Sequence, residues 1–378
     1  MFFIQSPIVR IHVQSVVRAL ARRGAQVTVV TTRRPGQPTE ENWNGVRVYR
    51  VNSVNVWGFY QALPSRELLR KILTENQVKL VHTHYIGIML MQAVAVATEL
   101  KIPHVYTYHM LAEHLTQHWP MRPFRRLIEW LIVSFCNRFK LILSPSEKLG
   151  RQIRDSGIRT PSQILTNPVA FEESSELDQI GVLENEPESS HESIEKSKES
   201  FRIHYAGRLS PEKNIILLLK AYVIFFQNFP DSILWIAGQG PSEKSLRNHC
   251  DVLGIAGKVK FLGLLDHKVL ANYYKSCDVF VLPSLQETQG LVVMEAMFFG
   301  KSTIVTDQIV SAYELVEDNV TGYIVDAFSP LPLAQRLTDL ALDSDLRFNM
   351  GRSAQAKATS FRLDSVIDRL QKIYSDNL

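Results

Sequence analysis

The strongest constraint on the fold of this chain is an alternation of short apolar runs with longer amphipathic stretches, which occurs twice. In the first half, β-branched runs at residues 27–31 and 104–107 alternate with stretches of helical spacing, such as residues 86–100. The alternation starts again at residues 203–206. Strands that alternate with helices of this length form a parallel sheet covered on both faces. The sequence therefore predicts two α/β domains in tandem.

The predicted elements place the limits of these domains. In the first half we expect a helix at residues 13–23, which Gly24 ends as a C-cap. The second half predicts the following elements in order: strands at 203–206, 233–237, 259–261, 279–282 and 302–305, and helices at 214–226, 242–253, 268–276 and 291–299. An amphipathic helix is predicted at residues 361–374.

Residues 171–200 separate the two alternating halves. This segment is rich in Glu and Ser and poor in aromatic residues, so it cannot bury enough apolar surface to offset the entropy of ordering. We interpret it as a flexible linker or surface insertion, with a regulatory segment as the alternative. The predicted organisation is a domain at 1–170, a linker at 171–200, a domain at 201–360 and a terminal helix at 361–378.

Charge and cysteine content exclude several classes of protein. The formal net charge of +4 is too small to indicate a nucleic-acid-binding protein. The three cysteines are scattered and show no CxxC spacing, which favours a reducing cytoplasm over a disulfide framework. The N-terminus does not resemble a signal peptide, and the most apolar stretch, residues 86–97, is too short to span a bilayer. We therefore expect a cytoplasmic protein.

Two glutamates follow the strand predicted at residues 279–282. Glu287 lies in the polar loop after this strand, and Glu295 lies in the helix that begins near Gly290. Free N–H groups at a helix start suit a phosphate or another anion. Carboxylates placed there can accept hydrogen bonds from sugar or ribose hydroxyls. As an isolated residue, Glu295 could equally cap its own helix or form a salt bridge on it.

A second polar loop follows the strand predicted at residues 203–206. Gly207 permits a close approach of the backbone to a ligand, and Arg208 and Lys213 flank the start of the next helix. A forked guanidinium and an ammonium together suit a diphosphate, although isolated surface charges are usually solvated. Both loops follow strands of one sheet, so both can reach the same crevice. Cations for a diphosphate and carboxylates for sugar hydroxyls at one place predict a sugar-nucleotide site.

With these motifs assembled, the sequence resembles the retaining glycosyltransferases of family 4. The E-x7-E element of that family, with its Pro-Ser lead-in, matches residues 283–295. Its Gly-Arg-Leu-x-x-x-Lys element matches residues 207–213, and its Gly-x-Gly-Pro turn matches residues 238–241. The resemblance implies a GT-B fold: two Rossmann-like domains that face each other across a cleft, with the C-terminal helix packed back on the N-terminal domain.

The resemblance also implies roles for individual residues. Arg208 and Lys213 would hold the donor diphosphate, Glu287 would contact the transferred hexose, and Glu295 would contact the ribose. His109 would face the sugar from the acceptor domain, and with Arg208, Lys213 and Glu287 it forms the expected catalytic set. The remaining expected donor-binding residues are Gly207, Gln289, Gly290 and Leu291. The nucleotide sugar is a co-substrate, and no cofactor is implied.

Three segments resemble the bacterial diacylglycerol glucosyltransferases of this family. Two lie in the first half, at residues 82–85 and 106–110, and the third is the Glu-Thr-Gln-Gly form of the loop at residues 287–290. That resemblance implies UDP-glucose as donor and a lipid such as diacylglycerol as acceptor, with a glycan or another soluble acceptor as the alternative. Residues 119–133 combine basic residues, tryptophans and an apolar face. Such a helix could lie against an anionic membrane on the inner face, or it could be a core helix with a basic edge.

The N-terminus departs from the family pattern. Family members begin with a full strand and a glycine-rich loop, whereas this chain opens on residues 2–4 and has residues 7–11 where the glycines belong. The first strand is therefore expected to be shortened or missing. The departure leaves a second hypothesis open: a catalytically weak GT-B protein that acts as a binding or regulatory partner.

No metal site is predicted. Residues 343–345 form an Asp-Ser-Asp triplet that we interpret as a solvated turn. His109, Glu113, His114 and His118 match neither the HExxH zinc motif nor its inverted form.

Overall fold

The computed structural model describes residues 2–4, 7–56, 59–84, 87–109, 122–169, 171 and 200–378. The chain divides into two compact units: unit 1 is Met1–Pro168 with Arg362–Leu378, and unit 2 is Val169–Phe361. The predicted linker lies outside the described residues except at its two ends. Phe171, which we had assigned to the linker, is instead buried in the core of unit 2.

Unit 1 contains an eight-stranded sheet in the order β10-β9-β8-β7-β1-β2-β4-β3, in which β3 alone pairs antiparallel. Its strands are β1 (Phe2–Ile4), β2 (Thr28–Thr32), β3 (Glu40–Trp43), β4 (Val46–Val51), β7 (Val81–Thr83), β8 (His104–Thr107), β9 (Leu141–Ser144) and β10 (Ser162–Ile164). Two further strands, β5 (Ser53–Val56) and β6 (Phe59–Ala62), form a separate antiparallel pair. The short β1 lies between β7 and β2, in the middle of the sheet.

Helices cover both faces of this sheet. They are α1 (Pro7–Arg22), α2 (Arg66–Glu75), α3 (Ile88–Glu99), α4 (Arg125–Cys136) and α5 (Glu147–Asp155). One core joins α1 to strand residues such as Val29 and Leu143, and a second joins α2 and α3 to Val30 and Val81. Because successive strand residues point to opposite faces, Val29 and Val30 serve different cores.

Unit 2 contains a six-stranded parallel sheet in the order β13-β12-β11-β14-β15-β16. Its strands are β11 (Arg202–Ala206), β12 (Ile233–Ala237), β13 (Val259–Gly263), β14 (Val279–Leu282), β15 (Ser302–Thr306) and β16 (Gly322–Val325), and its helices are α6 (Ile215–Phe226), α7 (Glu243–Val252), α8 (His267–Ser276), α9 (Leu291–Phe298), α10 (Ala312–Leu315), α11 (Pro330–Leu342) and α12 (Ser344–Ala358). Both faces of the central strands are buried, which explains their continuous apolar runs.

The last helix, α13 (Leu363–Asn377), returns to unit 1. Its apolar side packs into the same core as α1, through residues that include Val366, Ile367 and Leu370. At its surface, Arg23 forms ion pairs with Asp364 at 2.8 Å and Asp368 at 2.5 Å. Packing of the C-terminal helix against the N-terminal domain agrees with the fold that the sequence implies.

Several local predictions were wrong. The first helix begins at Pro7, six residues before the predicted start at residue 13, because proline suits the first turn of a helix and this segment continues the helical run. The edge strand β3 and the β5–β6 pair were missed. The Asp-Ser-Asp triplet is not a simple turn, since the Asp343 side chain accepts a hydrogen bond from the Leu346 N–H at 2.8 Å and caps α12.

Short 3₁₀ helices lie at Arg122–Phe124, Pro211–Lys213, Ala256–Lys258 and Thr359–Phe361.

Within the part of the chain that the structure describes, none of the helices combines the length and the apolar character that crossing a membrane requires.

Candidate functional site

The strand order of unit 2 creates a switch point between β11 and β14. From β11 the chain proceeds to β12 on one side, whereas β14 and β15 extend the sheet on the other side. Ligands of open α/β sheets bind outside the carboxyl ends of the strands at such a point. Gly207 directly follows β11, and Glu287 lies in the loop after β14. The two polar loops identified from the sequence therefore flank the switch point.

The loop that carries Arg208 is held in place by glycines. Gly207 and Gly238 have φ angles of +150° and +130°, in the region that favours glycine. A Cβ atom on Gly238 would lie 1.9 Å from the Gly207 carbonyl oxygen, so the two loops can approach only without a side chain there. The Leu209 N–H also donates to the Gln239 carbonyl at 3.0 Å. These contacts fix the backbone on both sides of Arg208, whose side chain is exposed.

The loops after β11 and β14 are joined by an ion pair. The Lys213 ammonium contacts Glu287 Oε2, and the two side chains are only 16% and 21% exposed. The backbone joins the same loops, because the Leu285 N–H donates to the Glu212 carbonyl at 2.9 Å. Lys213 is therefore not a solvated surface charge. Its ammonium and the Glu287 carboxylate lie at the same edge of the sheet, as the sequence predicted.

Helix α9 begins directly after the Glu287 loop. Gly290 has a φ of +71° and precedes Leu291, the first residue of the helix. The Val293 N–H returns to the Gly290 carbonyl at 2.9 Å. The first-turn amides of a helix otherwise have no intrahelical acceptor and carry partial positive charge. Gln289 is buried, and its carbonyl accepts a hydrogen bond from Ser311 Oγ at 2.8 Å. The start of α9 is thus a rigid candidate anion site.

Glu295 neither caps α9 nor forms a salt bridge on it. It accepts a hydrogen bond from the Tyr274 hydroxyl at 2.9 Å, and Tyr274 is fully buried in α8. Desolvation by burial raises the pKa of Glu295 to about 7, although the hydrogen bond from Tyr274 lowers it. The carboxyl group is therefore close to half protonated near neutral pH. A half-buried carboxyl with a shifted pKa is typical of functional sites, although structural networks produce such shifts as well.

His109 lies in unit 1, just after β8, and contacts another histidine. Its Nε2 is 3.0 Å from Nδ1 of His84, which follows β7. Desolvation by burial lowers the pKa of His109 to about 4, so the ring is neutral near neutral pH. A neutral imidazole can donate one hydrogen bond and accept another, which suits contact with a hydroxyl group. Glu113, His114 and His118, which with His109 match no zinc motif in the sequence, lie outside the described residues.

The sequence missed the residues that support the predicted ones. Tyr274 is an ordinary core residue in the helical pattern of α8, so nothing in the sequence indicated its bond to Glu295. Tyr205 points its hydroxyl at the Arg208 carbonyl, 3.0 Å away, and helps to fix that loop. The pairing of His84 with His109 has no sequence signal, because the two residues come from different strand ends. In the described part of the chain, no three His, Cys, Asp or Glu side chains cluster as metal ligands.

Comparison with known proteins assigns the chain to a family. Residues 9–173 match the sequence model of Glycosyltransferase Family 4, and residues 187–357 match that of Glycosyl transferases group 1. Among curated proteins, the chain is similar to the alpha-monoglucosyldiacylglycerol synthase of Streptococcus pneumoniae, with 24% identity over 97% of this chain and 84% of the relative. It is also similar to the D-inositol 3-phosphate glycosyltransferase of Corynebacterium diphtheriae, with 26% identity over 97% of this chain and 89% of that protein.

Solved structures give the same architecture. Anabaena Alr3699/HepE, solved in complex with UDP, matches with a TM-score of 0.75 at 19% identity over 99% of both chains. At this level of identity the likeness establishes the fold, and it confirms the GT-B architecture that the sequence implied.

Proposed function

We propose that this chain, a member of the family 4 glycosyltransferases, transfers glucose from the nucleotide sugar UDP-glucose to a lipid acceptor such as diacylglycerol. We further propose that the transfer retains the anomeric configuration and needs no metal or cofactor. The observation that carries the proposal is the Lys213–Glu287 ion pair, which joins the loops after β11 and β14. It brings a cation suited to a phosphate and a carboxylate suited to a sugar hydroxyl to one edge of one sheet.

The charges at this edge match the charge that develops in the reaction. When the bond from the anomeric carbon to oxygen breaks, negative charge grows on the leaving nucleoside diphosphate. Arg208, Lys213 and the first-turn amides of α9 would stabilise that charge where it appears, with Gly207 allowing close approach. Because the backbone of the loops that carry these groups is held by hydrogen bonds, only side chains need to move when the donor binds. The leaving phosphate would itself accept the acceptor's proton on the same face, which accounts for retention without a protein nucleophile.

Other residues would orient the donor. We propose that Glu287 accepts hydrogen bonds from hydroxyls of the hexose, and that Glu295, held by Tyr274, accepts them from the ribose. Gln289, Gly290 and Leu291 would line the phosphate end. We propose that His109 contacts the transferred hexose. The Lys213–Glu287 ion pair would loosen as the diphosphate recruits the ammonium, which releases the carboxylate for the sugar.

Support for the donor and the acceptor comes from relatives and from one surface of unit 1. Anabaena Alr3699/HepE was solved with UDP-glucose, and the Streptococcus pneumoniae relative is named for a glucosyldiacylglycerol product. Helix α4 and the residue before it, Phe124, expose apolar side chains beside arginines: Phe124, Leu127, Trp130 and Leu131 beside Arg125 and Arg126. Such a surface suits adsorption to an anionic bilayer, where a lipid acceptor would be found. The segment at residues 119–121, which we included in the same helix, lies outside the described residues.

The experiment is a transfer assay with radiolabelled UDP-glucose and mixed vesicles that contain diacylglycerol. The wild-type protein should form a glucolipid with an α-anomeric signal by NMR, and chelation of metals should leave the rate unchanged. Arg208→Ala should lower kcat/KM by about 100-fold or more while the protein stays folded. The control is Arg352→Ala, which removes an exposed arginine of α12. Near-normal turnover of Arg208→Ala would refute the assigned role.

The assay also separates the alternatives. Transfer to soluble glycans but not to vesicles would replace the lipid acceptor. Binding of the nucleotide sugar without turnover would favour the catalytically weak partner that the altered N-terminus suggests.

A further inference from the structure

Three histidines of unit 1 stack at the carboxyl ends of two adjacent strands. His82 lies in β7, and His84 follows it two residues later, so both side chains lie on one face. The ring centroids of His82 and His84 are 4.2 Å apart, and those of His84 and His109 are 5.3 Å apart. His109 is thus the end of a row of imidazoles rather than an isolated side chain.

The contact between His84 and His109 links the protonation of the two rings. Their nitrogens, Nδ1 of His84 and Nε2 of His109, are 3.0 Å apart, so one of them carries the shared proton. His109 is neutral near neutral pH, because desolvation lowers its pKa to about 4. A neutral imidazole has one N–H and one lone pair. Whichever role Nε2 of His109 takes towards His84, its Nδ1 takes the opposite one.

The first ring of the row is held at both of its nitrogens. His82 Nδ1 lies 2.5 Å from the Tyr374 hydroxyl, and its Nε2 lies 2.6 Å from the Thr107 hydroxyl. His82 cannot rotate without losing both contacts, so it provides a fixed surface against which the His84 ring packs. Tyr374 belongs to α13, so the C-terminal helix helps to hold this row in place.

From this geometry we propose that His84 is a positioning residue for hexosyl transfer, which sets the tautomer and the orientation of His109. This inference rests on the proposed function, in which His109 contacts the transferred hexose. A ring presented in one tautomer offers a hexose hydroxyl either a donor or an acceptor, and never a mixture. Without His84, both tautomers of His109 become accessible, and only a part of the molecules presents the productive one.

The test compares three variants of the 378-residue chain. His84→Phe keeps a ring for stacking but removes the hydrogen bond. His84→Asn places an amide where Nδ1 was and can restore the bond. His104→Phe is the control, because His104 lies in β8 of the same unit and its two ring nitrogens contact the carbonyls of Ile102 and Arg138. For each variant, kcat and KM for UDP-glucose are measured with the melting temperature, and the histidine tautomers are read from nitrogen-15 NMR.

We expect His84→Phe to lower kcat by about tenfold or more with KM within about twofold, as the loss of an orienting partner does. His84→Asn should recover most of that loss, and His104→Phe should affect the melting temperature more than kcat. Wild-type kcat in His84→Phe, or no recovery in His84→Asn, would overturn the proposal. If the wild-type protein transfers no sugar, the proposed function fails, and NMR then decides the inference. A changed His109 tautomer population in His84→Phe supports it, and an unchanged one overturns it.

Discussion

At the scale of single residues, Glu295 makes the stability of the protein depend on pH. Burial raises the pKa of its carboxyl from 4.5 to about 7, so the folded protein binds this proton more tightly than the unfolded chain does. The contribution of Glu295 to the free energy of unfolding therefore decreases as pH rises from about 4.5 to 7, and the full cost remains at higher pH.

We predict that Glu295→Gln stabilises the protein at high pH. The amide is uncharged and its oxygen can still accept the Tyr274 hydrogen bond, so the free energy of unfolding should rise by up to about 3 kcal/mol near pH 8. The gain should vanish below about pH 4.5, where the wild-type carboxyl is protonated. Urea unfolding across this pH range provides the measurement. Glu243→Gln, in an exposed pair with Arg247, should change stability by less than about 1 kcal/mol. If the free energy of unfolding of Glu295→Gln depends on pH just as that of the wild type does, the raised pKa of Glu295 is contradicted.

Gly238 provides a second prediction at this scale. Gly238→Ala should destabilise unit 2 by more than about 3 kcal/mol, because a Cβ there meets the Gly207 backbone 1.9 Å away and an alanine would be strained at the φ of +130°. Gly254→Ala is the matched control: its φ is +71°, but a Cβ would meet nothing within 4 Å, so about 1 kcal/mol is expected. Denaturant unfolding and calorimetric UDP binding measure both. If both substitutions lower stability equally, the loops at Gly207 and Gly238 can move apart to admit a Cβ atom, and the prediction is wrong.

At the scale of elements, helix α4 has an outer face that is apolar but exposed. Trp130 is 63% exposed and Leu127 is 52% exposed, whereas Ile132 and Phe135 of the same helix are buried. The sequence could not decide between a membrane-binding helix and a core helix with a basic edge. The structure gives α4 both an apolar core-facing side and an apolar outer side, which a hydrophobic periodicity alone does not resolve.

We predict that the outer face of α4 binds anionic vesicles. The double substitution Leu127→Ser with Trp130→Ser should lower the vesicle partition coefficient by about tenfold or more, since each side chain contributes about 1.5–3 kcal/mol when buried in the lipid interface. The control is Val252→Ser with Leu342→Ser, which removes two exposed apolar residues of unit 2. Sedimentation with anionic and zwitterionic vesicles measures partition. If both double variants bind like the wild type, α4 is not the contact surface.

How much the sequence predicts depends on the kind of signal. The elements of unit 2 from β11 to β15 appear within a few residues of their predicted limits, because buried parallel strands give continuous apolar runs. The strand β16 and the helices α10, α11 and α12 were missed. The first helix and the strand β3 were misjudged, since β3 is half exposed and has no apolar periodicity. Lys213 and Glu287 were predicted to lie at one sheet edge because the carboxyl ends of parallel strands meet there. The Tyr274–Glu295 and His84–His109 contacts depend on side-chain packing between distant segments, which no local pattern encodes.

At the scale of the whole molecule, unit 1 is discontinuous in sequence. Its core needs α13, which follows all of unit 2 in the chain, so the first 168 residues cannot complete this core without the last 17 residues. Ile367 and Leu370 of α13 are almost completely buried beside α1. The stability of the N-terminal sheet therefore depends on residues at the other end of the chain.

We predict that Ile367→Ala destabilises unit 1 by about 2–5 kcal/mol, the usual cost of a buried isoleucine truncation, and leaves unit 2 largely unaffected. Hydrogen exchange separates the two, because amides of β1, β2 and β7–β9 should lose protection while those of β11–β16 keep theirs. Leu337→Ala is the matched control, since Leu337 is fully buried in α11 of unit 2, and it should produce the reverse pattern. Equal loss of protection in both units with either variant would mean that the whole chain unfolds as one cooperative body. Because α13 also carries Tyr374, Ile367→Ala should loosen the contact between Tyr374 and His82 as well.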